Sequence, residues 1–167
     1  MNSLYVDECN QRPFLLVGFS IEPYEQHSIR KQLRQHLLPG QRSLHFRAEN
    51  VRRKKAILSL LIKANCRLVV VKCRTKADVS ARICSLRTQI GSDLASGCVS
   101  IVLELDETVR FRDHQFLKQQ QAIKEWDHRQ RHEEPLLWVA DAVAWCVNRG
   151  GDWERMVRPL IVETIEC

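Results

Sequence analysis

Two apolar stretches near the amino terminus decide the fold: SLYVD at residues 3–7 and PFLLVGFSI at residues 13–21. Each stretch has the length and the content of aliphatic and aromatic side chains that are typical of a β-strand. Residues 9–12 join them, and strands joined by so short a segment pair antiparallel. The sequence therefore predicts that the fold opens with a β-hairpin.

The segment after the hairpin predicts a helix. Ser20 can cap its first turn, and Pro23 suits a position near its start. Ile29 and Leu33 lie four residues apart on one apolar face, and the Pro-Gly pair at residues 39–40 ends the helix.

Three further elements are predicted up to the middle of the chain. Residues 43–46 indicate a short third strand, and residues 47–64 indicate a helix whose apolar side chains recur at intervals of three and four. CRLVVVKC at residues 66–73 is rich in valine at a length typical of strands, which indicates a strand buried on both faces of a sheet.

The second half of the chain alternates helices and strands. A Thr-x-x-Asp signal at residues 75–78 starts a helix that ends before Gly97. VSIVLELD at residues 99–106 predicts a strand on which the apolar residues face one side while Glu104 and Asp106 face the other. The remaining predictions are a polar helix at about residues 110–126, an apolar helix at residues 135–148, and either a strand or a short helix at residues 160–166.

Length and composition set the class of architecture. The chain has 167 residues, of which 44% are hydrophobic and 28% charged, as is typical of one globular domain; collagen, coiled coils and disordered tails are excluded. Strands that are first antiparallel neighbours and later alternate with helices predict an α/β fold. We expect residues 1–167 to form a single domain with a mixed β-sheet flanked by helices.

Cysteine usage and hydropathy bear on the cellular compartment. The seven cysteines include no Cys-x-x-Cys pair, which argues against a disulfide framework and a zinc ribbon and favours free thiols. No apolar run approaches the ~18 residues of a membrane-spanning helix, and the amino terminus lacks the basic residues of a signal peptide. The sequence predicts a soluble cytoplasmic protein with no membrane partner.

Positive charge is concentrated in one part of the chain. Residues 27–76 carry fourteen Lys or Arg side chains and one acid, Glu49, in a chain whose net charge is +6. Such clustering indicates an anionic partner, and a nucleic-acid backbone, DNA or RNA, is the commonest candidate. The alternative is that these bases only solvate the outer faces of two helices. The predicted nucleic-acid contacts are Arg30, Lys31, Arg34, Arg42, Arg52, Arg53, Lys54 and Lys55.

Three carboxylates stand where apolar side chains are expected. Asp7 ends the first strand, Glu104 lies near the end of a late strand, and Asp141 interrupts an apolar run at residues 136–147. Buried acids are costly unless a cation accompanies them, and carboxylates gathered at one end of a sheet suit Mg²⁺ or Mn²⁺. The alternatives are a turn cap, an exposed edge position, and a buried ion pair with a base such as Arg149. We favour an unpaired Asp141, because no base lies within one helical turn of it.

Three short motifs accompany these acids. YVDE at residues 5–8 closes the first strand, a Leu-His pair at residues 44–45 precedes a helix, and PLLWVADAVAW occupies residues 135–145. Together they resemble an uncharacterised bacterial family with a ribonuclease H-like fold, whose members open with a strand ending Asp-Glu-Ser-Gly and close with a Leu-Ala-Asp helix. The resemblance spans nearly the whole chain.

The resemblance implies a metal site and catalytic residues. Asp7 would be the ligand from the first strand and Asp141 the ligand from the last helix, with Glu104 or Asp106 as the acid of the late strand. The histidine that family members carry before their long helix would be His45, and Glu49 follows four residues later. The implied metal ligands are Asp7, Glu104, Asp106 and Asp141, and the implied catalytic residues are Asp7, Glu104, Asp141, His45 and Glu49.

The chain departs from the family pattern in three places. Cys9 and Asn10 replace the Ser-Gly that follows the opening acids, and Ser43 stands where a glutamate is common. In the strand order that the resemblance implies, residues 66–73 lie beside the first strand, but this segment ends in the bases Lys72 and Arg74 and not in an acid. Glu104 would then lie one strand further out.

These observations predict a metal-dependent phosphodiester hydrolase of ribonuclease H-like architecture. Its acids would hold Mg²⁺ or Mn²⁺, and its basic segment would bind a strand of nucleic acid. One alternative is a noncatalytic nucleic-acid-binding or protein-interaction module on the same fold. Another is a self-associating domain, such as a homodimer, in which Trp138, Trp145 and Trp153 line an interface.

Overall fold

The computed structural model describes residues 2–75, 77–94 and 97–167. Lys76, which closes the basic segment, lies outside the described residues. The strands are β1 (Asn2–Cys9), β2 (Phe14–Ile21), β3 (Cys66–Cys73), β4 (Cys98–Glu104), β5 (Glu125–Arg129) and β6 (Ile161–Glu166). The helices are α1 (Pro23–Gln35), α2 (Val51–Lys63), α3 (Val79–Leu94), α4 (Arg110–Leu117), α5 (Leu137–Arg149) and α6 (Gly151–Val157).

The strands form one mixed sheet in the order β5-β4-β1-β2-β3-β6. β1 and β2 pair antiparallel, as do β2 and β3, whereas β4 lies parallel to β1, β5 to β4 and β6 to β3. The predicted hairpin and the predicted mixed sheet with flanking helices are both confirmed. Because β1 and β4 are parallel neighbours, their carboxyl ends meet at the same edge of the sheet.

Helices cover both faces of the sheet and create two hydrophobic cores. One core packs α1, α2 and α5 against the face that carries Tyr5, and the other packs α3 and α4 against the face that carries Leu4 and Val6. Since side chains alternate along a strand, Asp7 faces the α5 side and Glu8 faces the α3 side. α5 crosses β1 and β2 and buries nearly all of its residues, which is why its sequence is apolar all round.

The predicted third strand at residues 43–46 is wrong. Leu44 and Phe46 are buried, but they enter the core from an irregular loop that ends in a short 3-10 helix, Phe46–Ala48. Alternating burial here comes from packing against α5 and not from pairing with a strand. Without a strand at residues 43–46, Cys66–Cys73 is the third strand of the chain. It pairs with β2, and β4 is the strand beside β1. The expectation that Glu104 lies one strand further out is therefore also wrong.

Two other boundaries differ from the predictions. The helix expected at residues 110–126 ends at Leu117, and Glu125–Arg129 forms the edge strand β5. Only one side of this polar strand is even partly covered, so it lacks the apolar alternation that identifies strands. Ser20 lies within β2, and Glu22 occupies the N-cap of α1 without a capping hydrogen bond from its side chain.

The cysteines and tryptophans have mostly structural positions. The structure shows free thiols at Cys9, Cys66, Cys73, Cys84, Cys146 and Cys167. Trp138 is buried in the core, and Trp145 and Trp153 stack edge-to-face on each other and on Phe46. Trp138 thus does not line an exposed interface, and self-association stays a prediction.

None of the described helices is long and apolar enough to span a bilayer.

Candidate active site

Three carboxylates converge at the carboxyl ends of β1 and β4. Glu104 is the last residue of β4, and Asp7 follows the residue of β1 that pairs with Leu103. Asp141 reaches the same point from α5, which packs across β1. Each acid is thus positioned by a different element of regular structure, and the three elements are fixed to one another by the core.

The guanidinium group of Arg131 lies between the three carboxylates. Its Nη2 atom is 2.5 Å from Glu104 Oε2 and 3.2 Å from Asp7 Oδ2, its Nε atom is 3.0 Å from Glu104 Oε1, and its Nη1 atom is 2.9 Å from Asp141 Oδ2. The backbone of Arg131 is held separately, because its carbonyl oxygen accepts a hydrogen bond of 2.7 Å from the indole N–H of Trp138. We call Asp7, Glu104, Asp141 and Arg131 the acid cluster.

Negative charge exceeds positive charge in the acid cluster. Burial raises the pKa of Asp7 well above its usual value, and the charges of Glu104 and Asp141 add to this effect, whereas Arg131 opposes it. Burial alone would lower the pKa of Arg131, but the three carboxylates raise it, so the guanidinium stays charged. Three carboxylates around one guanidinium leave a formal charge of −2, which favours binding of a further cation or exchange of the guanidinium for a divalent one.

The expectation of an unpaired Asp141 is wrong. Besides Arg131, its Oδ2 atom accepts a hydrogen bond of 3.1 Å from the backbone N–H of Phe46. Both partners lie outside α5: Phe46 begins a short 3-10 helix, and Arg131 lies in the segment before α5. The spacing of residues within the helix therefore could not reveal them. An unpaired buried carboxylate could be replaced without loss of stability, whereas replacing one partner of an ion pair leaves the other charge uncompensated.

Replacing Asp141 by asparagine is expected to destabilise the protein. The amide loses the charge that lies 2.9 Å from Arg131 Nη1, and it weakens the hydrogen bond from Phe46, because a charged acceptor raises the contribution of such a bond from about 0.5–1.5 to about 1.5–3 kcal/mol. Urea unfolding of wild type and Asp141→Asn measures the difference. Asp152→Asn is the matched control, because its side chain is 83% exposed. An Asp141→Asn protein as stable as wild type would contradict the observed pairing.

The other predicted site acids have different surroundings. Asp106 lines the same cleft as Asp7, Glu104 and Arg131, but its Oδ1 atom accepts hydrogen bonds from the backbone N–H and hydroxyl of Thr108. These hydrogen bonds lower the pKa of Asp106. Asp106 therefore stabilises the turn before α4 at the rim of the cleft.

His45 and Glu49 do not join the acid cluster. The carboxylate of Glu49 is buried and pairs with Arg53 and with the amide of Gln41, at 2.7 Å, so it neutralises a base of α2. His45 is exposed and immediately precedes Phe46, whose N–H contacts Asp141. The structure supports no direct catalytic contact for Glu49.

Three of the eight predicted nucleic-acid contacts are structural. Arg30 forms a bidentate pair with Glu134 at 2.8 and 2.9 Å. Arg53 is bound by Glu49 and by a backbone carbonyl. Lys54 is buried, with its ammonium 4.3 Å from the ring centroid of Trp145. The bases that remain exposed are Lys31, Arg34, Arg42, Arg52 and Lys55.

Sequence reasoning missed two arginines, Arg131 in the cleft and Arg47 in the short 3-10 helix that begins at Phe46. Arg131 lies in a charged segment where nothing distinguishes it from its neighbours. Arg47 belongs to the basic segment but was not singled out, although its exposed side chain follows Phe46 directly. Burial raises the pKa of the Cys9 thiol, with further increases from Asp141 and Asp7, and the positive charge of Arg47 opposes this shift. Arg47 thus acts on the same thiol as Asp7 and Asp141.

A second buried ion-pair network lies on the opposite face of β1. Arg82 of α3 pairs with Glu8 and holds Asp113 of α4 through two hydrogen bonds of 2.8 Å. The Nε2 atom of His128 on β5 is 3.2 Å from the same carboxylate. Burial raises the pKa of Asp113, but the hydrogen bonds from Arg82 and His128 outweigh it, and the pKa is lowered. The adjacent acids at the end of β1 thus each contact an arginine, on opposite faces of the sheet.

Comparisons with known proteins support the fold. No protein-family model and no curated protein matches the chain. Among solved structures, it is similar to a chain of the PCNA:RNase HII complex from Archaeoglobus fulgidus, with a TM-score of 0.59 at 15% sequence identity. The match covers 95% of this chain and 78% of that one. At this identity the likeness shows the fold alone, so the ribonuclease H-like fold is confirmed. The resemblance to the bacterial family stays a prediction.

Proposed function

We propose that this protein is a divalent-cation-dependent phosphodiester hydrolase that acts on nucleic acid. The observation that carries the proposal is the convergence of Asp7, Glu104 and Asp141 on a single group at the carboxyl ends of β1 and β4. The ribonuclease H-like fold and the exposed bases of α1 and α2 support it. On fold alone the function would stay open, because one fold carries many activities.

The donor atoms of the acid cluster fit Mg²⁺ or Mn²⁺. Carboxylate oxygens from several rigid elements are the ligands that these hard cations prefer. Within the described residues, no three His, Cys, Asp or Glu side chains are already placed to hold a metal ion. The guanidinium of Arg131 stands between the three carboxylates instead, so a cation would have to take its position.

Each part of the site has a distinct role in the proposed reaction. Asp7, Glu104 and Asp141 would hold the cation, which when bound would polarise the phosphodiester and lower the pKa of the attacking water. The N–H of Phe46 keeps Asp141 oriented. Arg47, which is exposed and follows Phe46, would contact a phosphate of the bound strand, and the exposed bases of α1 and α2 would bind further phosphates.

A cleavage assay tests the proposal. End-labelled single- and double-stranded DNA and RNA are incubated with the protein in Mn²⁺, in Mg²⁺ and in chelator. We expect cleavage of at least one substrate with either cation and none in chelator. Cleavage that persists in chelator, or no cleavage of any substrate, would contradict the proposed activity.

A noncatalytic nucleic-acid-binding module is the second candidate. It is favoured by one observation: Arg131 already satisfies all three carboxylates without a metal ion. In that case the protein would bind nucleic acid in chelator and in Mn²⁺ alike and would leave the strands intact.

Nucleic-acid binding is expected to depend on the exposed bases and not on the buried ones. Arg52→Ser combined with Lys55→Ser should reduce the log-log salt slope of duplex binding by up to about 1.8, because each phosphate contact contributes about 0.9. Fluorescence anisotropy at several salt concentrations measures the slope. Lys118→Ser with Lys124→Ser is the matched control, because both lysines are exposed outside the basic segment. Equal slopes in the two double variants would exclude α2 from the binding surface.

A further inference from the structure

We propose that Arg131 and a divalent cation are alternative occupants of the acid cluster, so that the guanidinium closes the cation site. This inference rests on the cation site of the proposed function. The guanidinium reaches all three carboxylates, through contacts of 2.5 to 3.2 Å. A cation bound by the same oxygens would occupy the same space, so the two cannot bind together.

Charge favours the exchange, and hydrogen bonding opposes it. Replacing a guanidinium by a divalent cation changes the formal charge of the three carboxylates and their cation from −2 to −1. Against this, the charge-assisted hydrogen bonds of Arg131 must be given up, and the bidentate pair with Glu104 is a strong arrangement of this kind. Wild-type protein should therefore bind a divalent cation more weakly than the same carboxylates would without Arg131.

The guanidinium can leave without unfolding the loop that carries it. The side chain of Arg131 lines the cleft formed by Asn10 and by residues 104–107. Its backbone carbonyl accepts a hydrogen bond from the indole N–H of Trp138, a contact that does not involve the guanidinium. Rotation of the side chain outward through the cleft would free the three carboxylates for a cation that enters through the same cleft.

Calorimetric titration with MnCl₂ tests the competition. Arg131→Gln removes the charge and keeps a polar side chain of related shape, and we expect it to bind Mn²⁺ at least about tenfold more tightly than wild type, the equivalent of one lost charged hydrogen bond. Adding Asp7→Asn to this variant should remove the gain. Arg129→Gln is the matched control, because Arg129 is exposed, pairs with Asp127 and is two residues away; its affinity should equal that of wild type.

A second variant guards against loss of folding in Arg131→Gln. Arg131→Lys keeps the positive charge but lacks the planar fork that binds both oxygens of Glu104, so its Mn²⁺ affinity should lie between those of wild type and Arg131→Gln. Thermal melts with and without Mn²⁺ give an independent readout, since a cation that binds only the folded state raises Tm, and at one Mn²⁺ concentration the increase is larger for the protein that binds it more tightly. Unchanged or weaker Mn²⁺ affinity in both variants would overturn the competition.

Failure of this inference and failure of the proposed function give different results. Tighter Mn²⁺ binding by Arg131→Gln without any nucleic-acid cleavage would retain the competition and exclude hydrolysis. Cation-dependent cleavage by wild type, together with equal Mn²⁺ affinity in wild type and both Arg131 variants, would retain hydrolysis and overturn the competition.

Discussion

Asp7→Asn is expected to lower cation-dependent cleavage about a thousandfold or more, because a bound cation contributes several kcal/mol of transition-state stabilisation. The amide keeps the shape of the carboxylate but loses the charge that a hard cation requires. Initial cleavage rates in Mn²⁺ measure the effect. Glu107→Gln is the matched control, because Glu107 lines the same cleft with a side chain 70% exposed and pairs with Arg110 outside the acid cluster.

The loss of activity in Asp7→Asn is not expected to reflect unfolding. Burial raises the pKa of Asp7 above its ordinary value of 3.8, so the charged carboxylate lowers stability as pH rises through that raised pKa. The neutral amide avoids this cost at pH 7. We therefore expect Asp7→Asn to be at least as stable as wild type in urea at neutral pH. A normal cleavage rate in a folded Asp7→Asn protein would remove Asp7 from the catalytic site.

Asp113→Asn is expected to cost about 3–5 kcal/mol, because removing one partner of a buried ion pair leaves the other charge uncompensated. Asp113 is fully buried, and its carboxylate binds both Arg82 and His128. Urea unfolding at pH 7 measures the loss. Asp127→Asn is the control, because Asp127 also pairs with an arginine but its side chain is 51% exposed. That pair should contribute less than about 1 kcal/mol.

The stability contributed by Asp113 has a defined pH dependence. Its folded-state pKa is lowered below the ordinary 3.8, so the contribution is present above that value and is lost as pH falls through the lowered pKa. The difference in unfolding free energy between wild type and Asp113→Asn should be greatest near neutral pH and should narrow in acid. A difference that widens below pH 3.8 would contradict the assigned ion pair.

Much of the fold could be predicted because the strands at its centre are buried on both faces. Uninterrupted valine and leucine marked Cys66–Cys73 and Phe14–Ile21, and the structure places both strands close to the predicted bounds. The edge strand Glu125–Arg129 has no such pattern, since it buries little of either face. The alternating pattern at residues 43–46 is misleading, because Leu44 and Phe46 lie in an irregular loop and are buried against α5.

The three carboxylates of the candidate site could be predicted from the sequence, but the arginine that joins them could not. Asp141 stood out because its helix is otherwise apolar, and Asp7 and Glu104 because they lie near the ends of two predicted strands. In the structure β1 continues for two residues beyond Asp7. Their shared partner Arg131 gave no local signal, since ion pairs across the fold depend on topology and not on helical spacing. Burial likewise decides which bases are free: Lys54 and Lys55 are neighbours in sequence, yet one packs against Trp145 and the other faces solvent.

Anomalous diffraction from crystals soaked in Mn²⁺ tests most directly whether Asp7, Glu104 and Asp141 jointly bind a divalent cation. Crystals of wild type and of Arg131→Gln are soaked at matched concentrations. A joint cation site predicts a Mn²⁺ peak within about 2.0–2.6 Å of an oxygen of each carboxylate, with higher occupancy in Arg131→Gln and with the wild-type guanidinium displaced wherever the ion is bound. Three carboxylates that stay without Mn²⁺ in Arg131→Gln, or an ion bound only elsewhere, would contradict it.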